Sequence, residues 1–447
     1  MKKEKIAILI RGEEHLRNFV KSGSFKRLED ACEVNYVVSN EIKIDDLSLF
    51  GGKIITHDFD KKNYVLRRIL KELFVFRAIV HSSSYANYFS APGKRKYLYK
   101  ILSLRWIHVF LVWSFEIMIP LDKILVQKIK DISPLVLLMP VSSPGNVEYD
   151  MVKAVRKLGI KFGIIPVAWD NVSSKLFLYL TPDFVLERGP QNAEFARKIF
   201  ALDEKKVGII GVPHYEMYFK YQARTDLEER RRAFLEKQGI SPDKKVFLFA
   251  GSLRPFDETS FLKEMDDAIE GGLLPNTHVI YRPHPEREAR ISEKSFFDEK
   301  FKHITFDEEL KWAYLYPEKG YSPKLDNYLD LYNAIAALIG PPSSLWVEVA
   351  LFNKPVLGLV CEDGVHFAFT SAQVLFKREH FKVWDNFDWF VACHKKEDFM
   401  DGCMKIMQIE ETPGIQDKIR KDMHYLVYHD SKDYSQRIID FINNYNG

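Results

Sequence analysis

The sequence predicts an α/β protein made of two domains, each built on a doubly wound and mainly parallel sheet. Short apolar runs bounded by turn residues alternate with longer segments of helical period, which is typical of successive βα units. A polar, charge-dense helix at 227–238 interrupts the alternation, which then restarts. Because 447 residues are about three times a typical domain length, we expect two Rossmann-like domains, 1–220 and 221–447, facing a central cleft.

The apolar runs place twelve strands along the chain, seven before residue 220 and five after it. The predicted strands of the first half are Ile6–Ile10, Val34–Val38, Lys53–Thr56, Leu135–Pro140, Phe162–Val167, Phe184–Glu187 and Val207–Ile210. Those of the second half are Val246–Ala250, His278–Tyr281, His303–Phe306, Ala336–Ile339 and Val356–Val360. Helical periodicity predicts helices at Tyr149–Leu158, Gln191–Leu202, Leu227–Gln238 and Tyr434–Asn444.

The composition favours a cytoplasmic protein. The four cysteines are widely spaced and form no CxxC pair, so neither a zinc site nor a disulfide framework is expected. The apolar run Ile6–Ile10 reaches charged residues too soon for a signal peptide. The longest apolar stretch, Trp106–Phe115, is shorter than the roughly 20 residues of a spanning helix. The small net charge of +3 argues against a nucleic-acid partner.

Positive charge is concentrated in one segment, 61–130. It holds 14 Lys or Arg against 3 Asp or Glu, together with 12 aromatic residues. Cations beside amphipathic aromatic rings suit the interface of an anionic membrane, so one interpretation is peripheral contact with the inner face of the cell membrane. The alternative is a helical insertion that buries its aromatic side chains in the first domain and leaves its charges in solvent.

In the second half, a cationic loop follows the strand His278–Tyr281. It reads Tyr281-Arg-Pro-His-Pro-Glu286 and supplies Arg282 and His284. Ligands bind beyond the carboxyl ends of parallel strands. An arginine holds a phosphate in bidentate fashion, and an imidazole donates to a phosphate or protonates a leaving oxygen. We therefore predict a phosphate-binding loop; the alternative is a strand-end turn with an incidental histidine.

A second candidate loop precedes an apolar helix. Ser343 and Ser344 follow the strand Ala336–Ile339, and a helix N-terminus capped by Ser343 is suited to hold a phosphate. Glu348 lies more than one turn into this helix. It is expected to accept hydrogen bonds from ribose or sugar hydroxyls, or else to be an ordinary helix glutamate.

Two further loops follow strands of the second half. Gly251 and Ser252 come after Val246–Ala250, and the glycine permits close approach of the backbone to a bound group. With the other two loops, this gives three strand-end sites that converge on one predicted donor pocket. Glu362 and Asp363 follow the strand Val356–Val360. They either contact donor hydroxyls or cap a turn.

The first half carries the candidates for the acceptor side. Trp169, Asp170, Asn171 and Lys175 follow the strand Phe162–Val167. Trp169 offers a stacking face for a sugar, and Asn171 and Lys175 offer polar contacts. Asp170 is a candidate general base for an acceptor hydroxyl; the alternative is that Asp170 and Asn171 only form an Asx-turn.

Other residues of the first half compete for the role of base. Glu13, Glu14 and His15 follow the first strand, and sequence spacing does not choose between them and Asp170. His214 lies in a loop after the last strand of this half, where it either faces the cleft or belongs to a structural turn.

Taken together, the motifs resemble GT-B glycosyltransferases, and most closely the superfamily that includes CDP-glycerol glycerophosphotransferases and capsule polysaccharide transferases. The resemblance is carried by Trp169-Asp-Asn-Val-Ser-Ser-Lys175, His284-Pro285, Gly340 to Glu348, Lys354-Pro355 and Tyr434-Ser-Gln-Arg-Ile-Ile-Asp440. It implies that His284 contacts the donor phosphate and that Ser343, Ser344 and Glu348 line a nucleotide pocket. It also implies no metal, no separate cofactor, and a CMP- or CDP-type donor rather than a UDP-type one.

These observations predict a glycosyltransferase that moves a sugar from a nucleotide-sugar donor to a glycan or lipid-linked glycan of the cell surface, such as capsule or O-antigen. Asp170 is expected to take the acceptor's proton, while Arg282 and His284 stabilise the departing phosphate. The alternatives are a polyol-phosphate transferase, a sugar-nucleotide 2-epimerase and a non-catalytic nucleotide-sugar-binding protein. Pro341-Pro342 stand where teichoic-acid polymerases carry a Thr-Asp pair, which favours a sugar over glycerophosphate.

Overall fold

The computed structural model describes residues 3–42, 47–59, 64–81, 96–143, 145–176, 181–253, 256–284, 300–310, 325–365 and 371–446. The chain forms two compact units, the first made of Met1–Glu216 with His424–Gly447 and the second of Met217–Met423. The predicted domain 221–447 therefore extends too far, because the end of the chain returns to the first unit.

The first unit is built on a seven-stranded sheet in the order β3-β2-β1-β4-β5-β6-β7. All described pairings in it are parallel. The order reverses between β1 and β4, and doubly wound sheets bind ligands at such a reversal point. Its strands are β1 Lys5–Ile10, β2 Glu33–Ser39, β3 Lys53–His57, β4 Val136–Val141, β5 Lys161–Pro166, β6 Phe184–Glu187 and β7 Val207–Ile209.

Strand β1 is apolar without interruption because both faces of the sheet are covered. Ile6, Ile8 and Ile10 belong to one hydrophobic core. Ala7 and Leu9 belong to the core on the other face, as expected when alternate side chains point in opposite directions. The apolar run that identified this strand in the sequence is thus the mark of a central strand.

The C-terminal helix Tyr434–Asn446 packs on the first of these cores. Arg437 donates to the carbonyl oxygen of Ile210 at 2.7 Å and pairs with Glu216, so a buried charge ties the helix to the end of β7. These contacts explain why the last residues belong to the first unit. The apolar side chains that this helix buries, spaced four apart on one face, are Tyr434, Ile438 and Ile442.

The second unit is built on a six-stranded parallel sheet in the order β10-β9-β8-β11-β12-β13. The order reverses between β8 and β11. The strands are β8 Lys245–Ala250, β9 Thr277–Arg282, β10 Ile304–Phe306, β11 Ala337–Gly340, β12 Val356–Leu359 and β13 Phe390–Cys393. All twelve predicted strands are present with small shifts at their ends, and β13 was missed. The predicted α/β class with two Rossmann-like domains is confirmed.

The helices surround these sheets. In the first unit they are Glu13–His15, Lys26–Ala31, Tyr64–His81, Lys96–Leu102, Arg105–Met118, Lys123–Ile132, Asn146–Lys157, Pro190–Phe200 and Tyr434–Asn446, with π-type turns at Leu16–Lys21 and Asn171–Lys175. In the second unit and at its borders they are Glu216–Gln222, Leu227–Lys237, Glu258–Glu270, Leu325–Ala334, Leu345–Leu351, Ala372–Phe376, Phe399–Glu410 and Ile415–Leu426.

The described residues of the basic aromatic segment form helices between β3 and β4. Its helices Tyr64–His81 and Arg105–Met118 share a small core that includes Leu70 and Val75. The helix Lys96–Leu102 joins them through Tyr99, whose ring stacks on that of Phe76 with the centroids 4.2 Å apart. Arg67 of the first helix pairs with Asp150 at 2.8 Å, and both side chains are buried. Within the described residues, we find no helix whose length and hydropathy would allow it to cross a membrane.

Candidate active site

In the second unit, the three predicted loops meet at the carboxyl edge of the sheet. A Cβ atom on Gly340 would lie 2.8 Å from the carbonyl oxygen of Ala250, so the ends of β8 and β11 are in close contact. A Cβ atom on Gly251 would lie 2.8 Å from the Cα atom of Pro283 and 3.1 Å from the backbone nitrogen of His284. The loops after β8, β9 and β11 therefore lie side by side at the point where the strand order reverses.

Glu258 holds the first of these loops in place, and sequence reasoning missed it. Its side chain is fully buried and accepts a hydrogen bond from the backbone N–H of Ser252 at 2.7 Å. A second bond comes from the hydroxyl of Tyr281. A glutamate in the first turn of a helix usually interacts with the helix dipole, so only its position after an apolar strand and a glycine loop could have signalled this role.

Arg282 is buried and already paired. Its guanidinium donates to Asp307, lies 3.8 Å from Glu309 and stacks over Tyr328, 4.1 Å from the ring centroid. Carboxylates therefore offset its charge, which differs from the predicted direct contact with a phosphate. In this arrangement Arg282 positions the loop that carries His284 at the end of β9.

His284 lies two residues after Arg282 and is half-buried. Its backbone lies against Gly251, so it sits beside the loop after β8, as predicted. Pro285 and Glu286 of the same motif, and Arg254 of the loop after β8, lie outside the described residues.

The helix after β11 begins one residue later than predicted. Ser344, not Ser343, is its N-cap residue, and within the described part of the chain the Ser344 side chain makes no capping hydrogen bond. Ser343 instead accepts from the backbone N–H of Trp346 through its carbonyl oxygen at 3.3 Å. Ser344 is exposed and Ser343 is half-buried.

Glu348 is oriented by two tyrosines of the same unit. One of its carboxylate oxygens accepts from the hydroxyl of Tyr218 at 2.9 Å and from that of Tyr332 at 3.0 Å. Burial, together with the Glu348 carboxylate, holds the pKa of Tyr332 well above its usual range. Tyr332 therefore keeps its proton and remains a donor, which fixes the carboxylate in one direction.

Asp363 caps a turn, which is one of the two interpretations predicted for the Glu362-Asp363 loop. It accepts from the backbone N–H of Asp257 at 2.6 Å and from that of Val365 at 2.9 Å, and it is buried. Asp363 thus joins the loop after β12 to the helix that carries Glu258.

In the first unit, Arg11 bridges the two strands at the reversal point. It donates to the carbonyl oxygen of Ser143 at 2.9 Å and pairs with the buried carboxylate of Glu148 at 2.8 Å. Burial, reinforced by the charge of Arg11, lowers the pKa of His15 to about 3. A base with so low a pKa is poorly matched to neutral pH, so His15 is a weak rival for the catalytic role.

Asp170 forms an ion pair with Lys175 at 2.6 Å, and both side chains are partly exposed. Trp169, by contrast, is buried and donates through its indole N–H to Gln191 at 2.9 Å. Asn171 is also buried and accepts from the backbone N–H of Ala168 at 2.6 Å. This burial does not agree with the predicted contacts of Trp169 and Asn171 with an acceptor sugar; their bonds instead stabilise the turn that presents Asp170.

Sequence reasoning also missed a buried carboxylate at the end of β6. Glu187 is fully buried, and among the described residues neither of its carboxylate oxygens has a hydrogen-bond partner. Burial raises the pKa of Glu187 well above its usual range, although the neighbouring Arg188 opposes the shift. Nearby, burial and the charges of Arg188 and Arg17 lower the pKa of His214 to about 3, which favours the structural interpretation of that histidine.

We expect Glu187→Gln to raise the free energy of unfolding by about 1–3 kcal/mol near neutral pH. Below the ordinary pKa of a glutamate, both states hold the proton and the effect vanishes. As the pH rises above that value, the unfolded chain releases its proton while the folded protein retains it, so wild-type stability falls until the raised folded pKa is reached. Chemical denaturation at a series of pH values tests this prediction. Glu204→Gln, at an exposed glutamate, is the control. The same dependence of stability on pH in the wild type and both variants would contradict the prediction.

Comparison with protein families supports a transferase. Residues 171–364 match the family described as CDP-Glycerol:Poly(glycerophosphate) glycerophosphotransferase, a range that contains His284 and Glu348. The resemblance predicted from the motifs is confirmed over this range, and the match supports an enzyme that transfers a nucleotide-activated group. No curated protein matches the chain by sequence.

Solved structures share the fold of the whole chain. A glycosyltransferase from Rickettsia africae is similar with a TM-score of 0.55 and 11% identity, over 100% of this chain and 98% of that one. The UDP-GlcNAc 2-epimerase from Neisseria meningitidis, bound to UDP-GlcNAc, is similar with a TM-score of 0.55 and 10% identity, over 98% of this chain and 100% of that one. At such identities the likeness shows the fold alone, and it agrees with the predicted GT-B class.

Proposed function

We propose that this protein transfers a sugar from a nucleotide-activated donor to a cell-surface glycan without a metal ion. One observation carries the proposal: the loops after β8, β9 and β11 meet where the strand order of the second sheet reverses, which is where doubly wound sheets bind nucleotides. The match of residues 171–364 to a family of nucleotide-dependent transferases supports it.

In the proposed donor site, His284 donates a hydrogen bond to the departing phosphate. Gly251 and Ser252, held by Glu258, bring backbone close to the same region. Glu348, fixed by its two tyrosines, accepts hydrogen bonds from ribose hydroxyls. Donors held in place before the reaction stabilise developing charge better than flexible ones do, and the contacts around these residues supply that rigidity.

We assign the removal of the acceptor's proton to Asp170. The ammonium group of Lys175, 2.6 Å from the carboxylate, stabilises the ionised form that a general base requires. The acceptor oxygen then attacks the anomeric carbon as the bond from that carbon to the donor phosphate breaks. The proton passes to Asp170, and the electron pair of the broken bond goes to the phosphate oxygen.

A thermal-shift screen against CMP, CDP, UDP, GDP and dTDP tests the donor site. A saturating nucleotide that binds only the folded protein is expected to raise the unfolding midpoint by about 4–8 °C, with CMP or CDP giving the largest rise. His284→Ala should reduce this rise, whereas His303→Ala, a histidine paired with Glu270 on the second unit, should not. No shift with any nucleotide would overturn the proposal.

Polyol-phosphate transfer is the second candidate, because the matching family is described as a glycerophosphotransferase. In that reaction the acceptor oxygen attacks phosphorus and the product contains a phosphodiester. Incubation of the protein with donor and acceptor, followed by mass and phosphate analysis of the product, separates this reaction from glycosidic transfer. Binding of nucleotide with neither transfer nor hydrolysis would instead identify a non-catalytic protein.

A further inference from the structure

The helix Arg105–Met118 exposes a continuous apolar stripe. Trp106 is 86% exposed, Phe110 61%, Trp113 57% and Ile117 64%. Their spacing of four, three and four residues places them on one face of the helix. The opposite face carries Val112 and Phe115, which pack on the core of the insertion, so the exposed stripe is a stable feature of a packed helix.

The neighbouring helix Lys96–Leu102 extends this apolar surface. Leu98 and Ile101 are each 52% exposed, and Leu104, in the turn between the helices, is 56% exposed. Single exposed apolar residues are ordinary, but a contiguous apolar surface of this kind marks an interaction site. The alternative interpretation, an insertion that buries its aromatic side chains, holds for Tyr99, which is buried, and for Phe74, which packs on the core. It does not hold for the exposed rings of Trp106, Phe110 and Trp113.

The chemistry of the surface favours lipid over protein. Lys100 and Arg105 are exposed on the same two helices, and the segment 61–130 carries 14 cations against 3 anions. Cations and indole rings beside aliphatic side chains match the headgroup region of an anionic bilayer. The insertion also carries an open, mainly apolar pocket of about 600 Å³, lined in part by Leu73, Leu102 and Phe115, which offers space for an acyl chain.

We propose that these two helices form an interfacial surface that binds anionic phospholipid bilayers. The helix Arg105–Met118 has 14 residues, fewer than the roughly 20 that span a bilayer, so it lies in the plane of the interface with Trp106, Phe110 and Trp113 in the headgroup region. Lys100 and Arg105 contact lipid phosphates. This inference goes beyond the proposed transfer reaction and does not depend on it.

Vesicle co-sedimentation of the full chain tests the surface, with no donor or acceptor present. Wild-type protein is expected to bind vesicles containing phosphatidylglycerol, more weakly as salt increases, and to bind pure phosphatidylcholine poorly. The double variant Trp106→Ser with Trp113→Ser should weaken binding about 10- to 100-fold. Lys100→Glu with Arg105→Glu should abolish the preference for anionic lipid.

The matched control replaces exposed leucines elsewhere, Leu47→Ser with Leu273→Ser, and should bind vesicles as wild type does. Three results would overturn the inference. The first is that the wild type does not bind vesicles. The second is that the leucine control loses as much vesicle binding as the tryptophan variant. The third is that vesicle binding is absent while sedimentation velocity shows a dimer that the tryptophan variant disrupts. The last would assign the surface to a second copy of the chain.

Discussion

Asp170→Asn is expected to lower the rate of transfer by about 10²- to 10⁴-fold, while nucleotide affinity and the unfolding midpoint stay near wild-type values. Asparagine keeps the size of the side chain but cannot accept a proton. The side chain of Asp170 is 20% exposed, so an acceptor hydroxyl can reach it, and its replacement leaves no buried cavity. Steady-state kinetics with the donor identified by the thermal-shift screen measure the effect.

The rival bases supply the controls for this prediction. Glu13 and Glu14 are exposed, and Glu13→Gln and Glu14→Gln should each leave the rate within a few-fold of wild type. A large loss in either glutamine variant, with a normal rate in Asp170→Asn, would move the role of base to that glutamate.

The fold was predictable because central strands of parallel sheets are continuous apolar runs. Strand β13, Phe390–Cys393, escaped because its apolar run merges with the aromatic residues Phe387 and Trp389 before it, so the limits of the run do not stand out. The return of the C-terminal helix was also missed. Its apolar spacing predicted a helix, but the contact of Arg437 with Ile210 joins residues far apart in the sequence, and a local pattern does not show which core a helix covers.

The candidate site was predictable in position but not in its contacts. Residues after apolar strands do lie together at the edge of the sheet, because all strands of a parallel sheet end at the same edge. What each side chain does there depends on partners from other elements. Trp169 is buried and donates to Gln191, a contact that the local sequence does not show. Glu258 supports the loop of Ser252, and only its position after a glycine loop hints at this role.

The contact of Arg282 with Asp307 is also one that the local sequence does not show. Replacing Asp307 is expected to have a large effect on stability. Asp307→Ala should lower the free energy of unfolding by about 3–5 kcal/mol, because it removes a carboxylate that accepts a hydrogen bond from the buried Arg282 guanidinium. Glu309, at 3.8 Å, lies farther from the guanidinium and offsets its charge only in part. The change also leaves the backbone N–H groups of Glu309 and Leu310 without the carboxylate oxygen that accepts from them. Denaturant unfolding followed by tryptophan fluorescence measures the loss.

Two further variants decide whether the buried charge is the cause. Asp307→Asn keeps an acceptor for the two N–H groups but loses the charge, so it should lie between wild type and Asp307→Ala. Asp417→Ala breaks an ion pair whose side chains are 64% and 80% exposed, and it should leave the midpoint almost unchanged since solvent screens such pairs. If Asp307→Ala were no less stable than Asp417→Ala, the Arg282–Asp307 pair would not hold the loop of His284, and the rigidity ascribed to the donor site would lose its main support.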